Sequence, residues 1–296
     1  MALPKLATPQ FALEIPSNGK RVLFRPFVVK EEKALLMAAQ SDDPNDMVDA
    51  VKNVISSCVL DDSVSVDKLP YFDLEYIFLN IRAKSIGEIV KLEYRHTGSK
   101  NYQGVVCEAV TPVELNLEKV KVEKKDGHTN KIKLDDKLGL EMRYPTFNDV
   151  KMVSDGADEM EMLAKCIVSV YDDENVYDPD GLQDSINFIE SLSNTQFAKI
   201  MQFVDTMPKL RHTFKYKCKG CGQEDTVTLE GLSDFFLMVL SHNTLANYYQ
   251  TNFALMQYHK YSLSDIEGMM PWERDIYVKM LIEYLDELKK EQEKRQ

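Results

Sequence analysis

Apolar and polar residues alternate through 11–15 and again through 21–27, with Asn18-Gly19 between them, which predicts a β-hairpin on a tight reversal. The same period-two alternation returns at 113–122 and 131–144, on either side of the polar stretch 123–130. It returns once more at 214–217 and 226–229, around a short glycine-containing turn. Elsewhere the spacing is helical. Residues 29–39 form one helix, with Lys30, Glu31, Glu32 and Lys33 as its solvated face. Asp43-Pro44-Asn45 breaks it, and 46–60 form an amphipathic second helix. Pro70 opens a third at the first-turn position where proline is tolerated, with Leu74, Ile77, Phe78 and Ile81 as its apolar stripe. Helices follow over 147–153, over 159–171 and through 184–204, the last carrying Phe197, Ile200, Met201 and Val204.

From 232 to 258 the chain turns aromatic and apolar, and Pro271 then starts a final helix on which Val278, Leu281, Ile282, Leu285 and Leu288 share a face. The end, 289–296, is polar. Such a face either packs into a core or docks another subunit, and Phe235, Phe236, Trp272, Leu281 and Leu285 are the candidate docking residues.

The patterns recur in order. The segment from Lys91 to Gly98 lines up with Thr213 to Gly220, which sets His96 opposite Cys218 and Ser99 opposite Cys221. The stripe Leu74, Ile77, Phe78, Ile81 matches Phe197, Ile200, Met201, Val204. Residues 52–62, ending in Asp61-Asp62, resemble 165–173, ending in Asp172-Asp173, and Phe24-Arg25-Pro26 matches Arg143-Tyr144-Pro145. The fold expected is α+β: tandem duplicated units of β-hairpin, helices and a zinc-ribbon-like knuckle hairpin, then a C-terminal helical tail. Residues 1–122 are the first unit, 130–232 the second and 233–296 the tail.

Composition narrows the function classes. With 44% hydrophobic residues, the 296-residue chain has the content of ordinary globular domains. Its net charge of −12 disfavours nucleic acid, which calls for a basic face. No apolar run is long enough to span a bilayer, and the first residues lack the basic and apolar regions of a signal peptide. Five cysteines, an odd number without secretory features, suggest a reducing compartment; Cys58 and Cys166 sit in apolar helical runs and read as core residues. No nucleophile elbow, phosphate-binding glycine loop or His-Glu-x-x-His is present. The acidic loop 172–181 fails as a calcium loop: counting from Gly181 as the sixth position puts Val176 and Asn187 where carboxylates are needed.

Cys218-x-x-Cys221-Gly has the spacing with which two thiolates grip one zinc ion, and Gly220 and Gly222 permit the tight turn around it. A structural zinc takes four ligands. If the two units face each other, His96 and Cys107 complete a Cys₃His site with Cys218 and Cys221, and His212 is a further candidate. Alternatively the four are relics of a knuckle that has lost its metal and holds by packing.

The segment 24–33 (Phe-Arg-Pro-Phe-Val-Val-Lys-Glu-Glu-Lys), Lys131-Ile-Lys-Leu with Met142-Arg-Tyr-Pro145, the knuckle with 229–236, and Met270-Pro-Trp-Glu-Arg-Asp-Ile-Tyr277 together resemble baseplate hub and hub-assembly proteins of large contractile-tailed phages. The resemblance covers most of the chain; His96 and Ser99 depart from it where a cysteine pair is expected. It implies a non-enzymatic structural or assembly protein of the tail baseplate hub. Such a protein works in the host cytoplasm during assembly and in the virion baseplate if it stays, with other baseplate or tail hub proteins, and possible further copies of itself, as partners. Two other readings compete with it: a zinc-ribbon adaptor of a cellular complex, and an enzyme site assembled from Asp172, Asp173 and His212.

Overall fold

The computed structural model describes residues 9–95, 107–231, 234–235, 240 and 242–295. The fold is α+β with a long C-terminal helix. Strands β1 (Phe11–Glu14) and β2 (Arg21–Phe24) form the first antiparallel hairpin, turning at Gly19 with φ 69°. Helices α1 (Val29–Ala38) and α2 (Pro44–Cys58) follow, and Asp43 accepts from Asn45 N at the start of α2.

Arg25 ties these pieces together. Its guanidinium grips both Glu31 carboxylate oxygens at 2.9 and 2.7 Å and the Pro26 carbonyl at 2.9 Å, while its backbone N–H donates to the Cys58 carbonyl. Glu31 in turn accepts from Val28 N–H, so one carboxylate caps α1 and anchors the arginine.

The same construction stands a second time. Strands β6 (Lys131–Lys133) and β7 (Gly139–Met142) make a hairpin that leads to Arg143. Arg143 bonds both oxygens of Asp149 at 2.5 and 3.1 Å and the Tyr144 carbonyl at 3.1 Å, and its N–H donates to the Cys166 carbonyl. Asp149 accepts from Thr146 N–H and caps α4 (Phe147–Ser154). The contacts of Arg25 with Glu31 and Cys58 thus parallel those of Arg143 with Asp149 and Cys166. In the sequence comparison Arg25 had stood against Tyr144.

Helix α3 (Tyr71–Ser85) is the axis of the larger core, with Leu74, Ile77, Phe78 and Ile81 buried as its spacing predicts. That core also takes in Phe235, Leu240, Tyr248, Leu255 and Ile266, so α8 (Leu245–His259) and α9 (Leu263–Gly268) pack into it, as do Phe147, Leu210 and Leu229. A smaller core gathers Leu140, Met142, Leu163, Cys166, Ile189, Ile200 and Phe203 beneath α5 (Glu159–Lys165), α6 (Leu182–Glu190) and α7 (Asn194–Thr206).

Three local expectations give way. The helix expected over 159–171 ends at Lys165, and Ile167–Tyr171 form β8, paired on one side with β7 and on the other with β9 (Val176–Tyr177). Its β-branched residues favour the extended form, and strand pairing satisfies the backbone. The run 113–122 is interrupted by a 3₁₀ turn at Leu117–Lys119, which separates β4 (Val110–Asn116) from β5 (Lys121–Glu123). Glu32, assigned to the solvated face of α1, is fully buried.

β3 (Ile89–Arg95) pairs with β4 in a two-stranded hairpin. β10 (Lys209–Lys217) pairs with β11 (Glu224–Glu230) and, on its other edge, with β5. The last helix, α10, spans Pro271–Arg295. Among the described residues no helix is long and apolar enough to cross a membrane.

Candidate metal centre

The β10–β11 turn is shaped by local backbone bonds: Cys218 N–H donates to the Gln223 carbonyl and Gly222 N–H to the Cys218 carbonyl, each at 2.9 Å. Gly222 takes a φ of 74°, in the left-handed region that favours glycine. Gly220 has a different role. A Cβ there would lie 2.5 Å from Ala109 Cβ and 3.3 Å from Cys107 Sγ, so its missing side chain is what admits the neighbouring segment.

That segment leads into β4. Tyr94 on β3 stacks on Tyr216, with ring centroids 5.4 Å apart, and meets Phe214 edge-on at 5.7 Å. Lys219 N–H donates to Thr111 Oγ1 at 3.1 Å. The two hairpins thus meet near their tips, and three sulfurs converge there. Cys107 Sγ lies 3.6 Å from Cys218 Sγ, and with Cys221 all three sulfurs fall within 4.8 Å of one another.

Backbone N–H groups of Cys221 and Gly220 aimed at the Cys218 sulfur bring that thiol down to about 6, so it is a thiolate at neutral pH. The Cys107 thiol is raised: the Ala109 N–H favours its thiolate, but burial and the two neighbouring sulfurs outweigh it. Cys218 is buried, Cys107 half-buried and Cys221 exposed. Three soft donors, one already ionised, are a set that suits zinc.

The other expected site residues lie as follows. His96 falls outside the described residues, as do Ser99 and Phe236. His212 stacks on Phe214 within β10, six residues before Cys218 and hence roughly 20 Å away along the strand, too far to be a ligand. Asp172 closes its own turn, accepting from Glu174 and Asn175 N–H and from the Tyr177 hydroxyl. Cys58 and Cys166 are buried beside the two arginines, and burial pushes each thiol up to about 12.

Of the docking candidates, Phe235 is buried in the larger core, which corrects the expectation that it meets a partner. Trp272 is 37% exposed, Leu281 packs partly against the core and Leu285 is 42% exposed. A cluster that sequence reasoning missed lies where α10 begins. Glu32 is contacted by Arg274, by His242 at 2.9 Å and by Asn243 at 3.0 Å. Its only sequence signal was a charged residue among apolar helical positions.

Residues 8–237 match the family described as T4 bacteriophage base plate protein. Residues 239–284 match the family described as baseplate hub assembly protein Gp51 C-terminal domain. No curated protein and no solved structure matches.

Proposed function

The chain belongs to the T4 bacteriophage base plate protein family, and from that premise we propose that it is a non-enzymatic protein of the tail baseplate hub that acts by docking hub subunits. The observation that carries this reading is the exposed apolar surface of α10, whose first half lies inside the hub-assembly match. Val278 and Leu281 pack against the core, whereas Ile282 and Tyr284 are 54% and 56% exposed and Leu285 stands beside them. A helical end of this length gains little from propensity alone, so exposed apolar residues along it call for a partner. Trp272 and Leu285 belong to this docking surface, Leu281 lies at its border with the core, and Phe235 supports it from within.

Within the reading, the body 1–232 is an internal duplication, with units at 1–122 and 130–232 and the tail from 233. The repeated arginine–acid–cysteine construction at Arg25 and Arg143 supports it. Cys107, Cys218 and Cys221 supply three of the four ligands of one structural zinc ion. The protein works in the host cytoplasm while the hub assembles. Neither family match favours a cellular zinc-ribbon adaptor.

Replacing Ile282, Tyr284 and Leu285 together by glutamate tests the docking claim. Expected is a chain that melts normally but no longer co-purifies with hub subunits and no longer supports tail assembly. Unchanged assembly by a folded triple variant overturns it. Mass spectrometry of purified particles then separates a resident subunit from a factor that leaves, and light scattering of the free protein reads self-association.

A further inference from the structure

Resting on the zinc reading above, we propose that the ion is a clasp between the two hairpins, with Cys107 reaching it from the β3–β4 side and Cys218 and Cys221 from the β10–β11 turn. The proposal concerns what the metal joins. Among the described residues the two hairpins belong to separate sheets and share no backbone hydrogen bond.

The geometry fits a shared ion. Zinc–sulfur bonds of about 2.3 Å in a tetrahedron set sulfurs about 3.8 Å apart. Cys107 and Cys218 already stand at 3.6 Å, although 111 residues separate them, and Cys221 lies within 4.8 Å of both. The Cys218–Cys221 pair alone supplies two of the four ligands that a structural zinc takes, and Cys107 supplies a third. The third sulfur is brought in by a separate device, the bare Cα of Gly220, into which Ala109 and Cys107 fit.

The hairpins are tied at their base, where β5 continues from β4 and pairs with β10, and more lightly beyond it. Fully buried apolar residues of β3–β4 are at this base, Val90 and Leu115, whereas Leu92, Tyr94 and Val113 further out are half-buried. Among the described residues the outer contact includes a pair of aromatic stacks and the Lys219–Thr111 bond. A metal that closes a long loop at such a place stabilises the joint by restricting the unfolded chain and by its own bond energy. Loading with zinc then decides whether the first hairpin stays docked on the second.

The test uses the full chain, with native mass spectrometry for zinc content and hydrogen exchange before and after chelation. Expected is one zinc per chain. Removing it should speed exchange by at least about ten-fold in the outer halves of both β3–β4 and β10–β11, with α3 unchanged. Cys107→Ser and Gly220→Ala, which leave the Cys-x-x-Cys pair in place, should each weaken zinc by about ten-fold or more. Should zinc-reconstituted wild-type protein carry no zinc, both the zinc reading and the clasp fall. Should it carry one zinc that both variants hold equally tightly, with exchange in β3–β4 indifferent to chelation, the clasp falls and a zinc confined to the knuckle remains.

Discussion

Arg274 Nη1 lies 3.2 Å from Glu32 Oε2, and both side chains are almost wholly buried, so the first residues of the last helix are locked to the first helix by an ion pair out of water. The pair joins the segment that matches the base plate family to the segment that matches the hub-assembly domain. Burial pushes the Glu32 carboxyl up, but His242, Arg274 and Asn243 outweigh it and hold the group below the usual range. Breaking one partner of a buried pair leaves the other charge without compensation. Arg274→Met is therefore expected to cost about 3 kcal/mol or more, because His242 and Asn243 offset only part of the loss. Chemical denaturation checks this, and a cost below about 1 kcal/mol would show that the pair is incidental to stability.

Asp73 makes the opposite prediction. Its Oδ1 accepts from Ser17 N–H at 3.0 Å, its Oδ2 finds no hydrogen-bond partner among the described residues, and burial lifts the carboxyl to about 6 from an ordinary 3.8. A carboxyl raised in the folded state contributes most below its unfolded value, and that stability is lost as pH rises through about 6. Asp73→Asn keeps an acceptor for Ser17 and removes the ionisation. It is expected to stabilise the protein by about 1–3 kcal/mol at pH 7.5 and to leave it unchanged near pH 4. Melting curves at the two pH values decide, and equal shifts at both would refute the assignment.

How far these sites could be read from the sequence depends on whether their causes are local. The Asn18-Gly19 hairpin and the α3 stripe are short-range patterns, and both stand where the spacing put them. The convergence of Cys107 with Cys218 and Cys221 was legible only through the internal comparison, because nothing local links residues 111 apart. Glu32 was misread for the same reason: in a Lys-Glu-Glu-Lys run it looks solvated, and its half-buried partner His242 lies 210 residues further on. Residues 167–171 were read as helix because a short apolar run has no period that excludes a strand; pairing with β7 settled it.

The cysteines divide into two chemical populations that a thiol reagent can separate. Cys58 and Cys166 are buried with thiols pushed up to about 12, so they carry almost no thiolate at neutral pH. Cys218 is held near 6 beside exposed Cys221. Alkylation of chelated native protein at pH 7.5 is expected to label Cys107, Cys218 and Cys221 and to spare Cys58 and Cys166 until denaturant is added. Peptide mass spectrometry reads the pattern. Early labelling of Cys166 would mean that the smaller core opens readily.

Asp149 gives the sharpest acid-limb test and bears on whether the two cores are separable. Burial pushes its carboxyl up, yet the Arg143 guanidinium and Thr146 more than compensate and hold it down at about 2. A depressed carboxyl contributes stability that is fully present above its unfolded value near 3.8 and is lost as pH falls through about 2. Asp149→Asn is expected to cost about 2 kcal/mol at pH 7 and to flatten the stability profile between pH 4 and 2. Asp149 fastens Arg143, and Arg143 fastens the Cys166 carbonyl beside β7 and β8. Hydrogen exchange in the variant should therefore quicken across β7 and β8 first. If β1 and β2 quicken to the same degree, the Arg25 and Arg143 constructions unfold as one unit. If β1 and β2 keep their protection, each arginine fastens a core of its own.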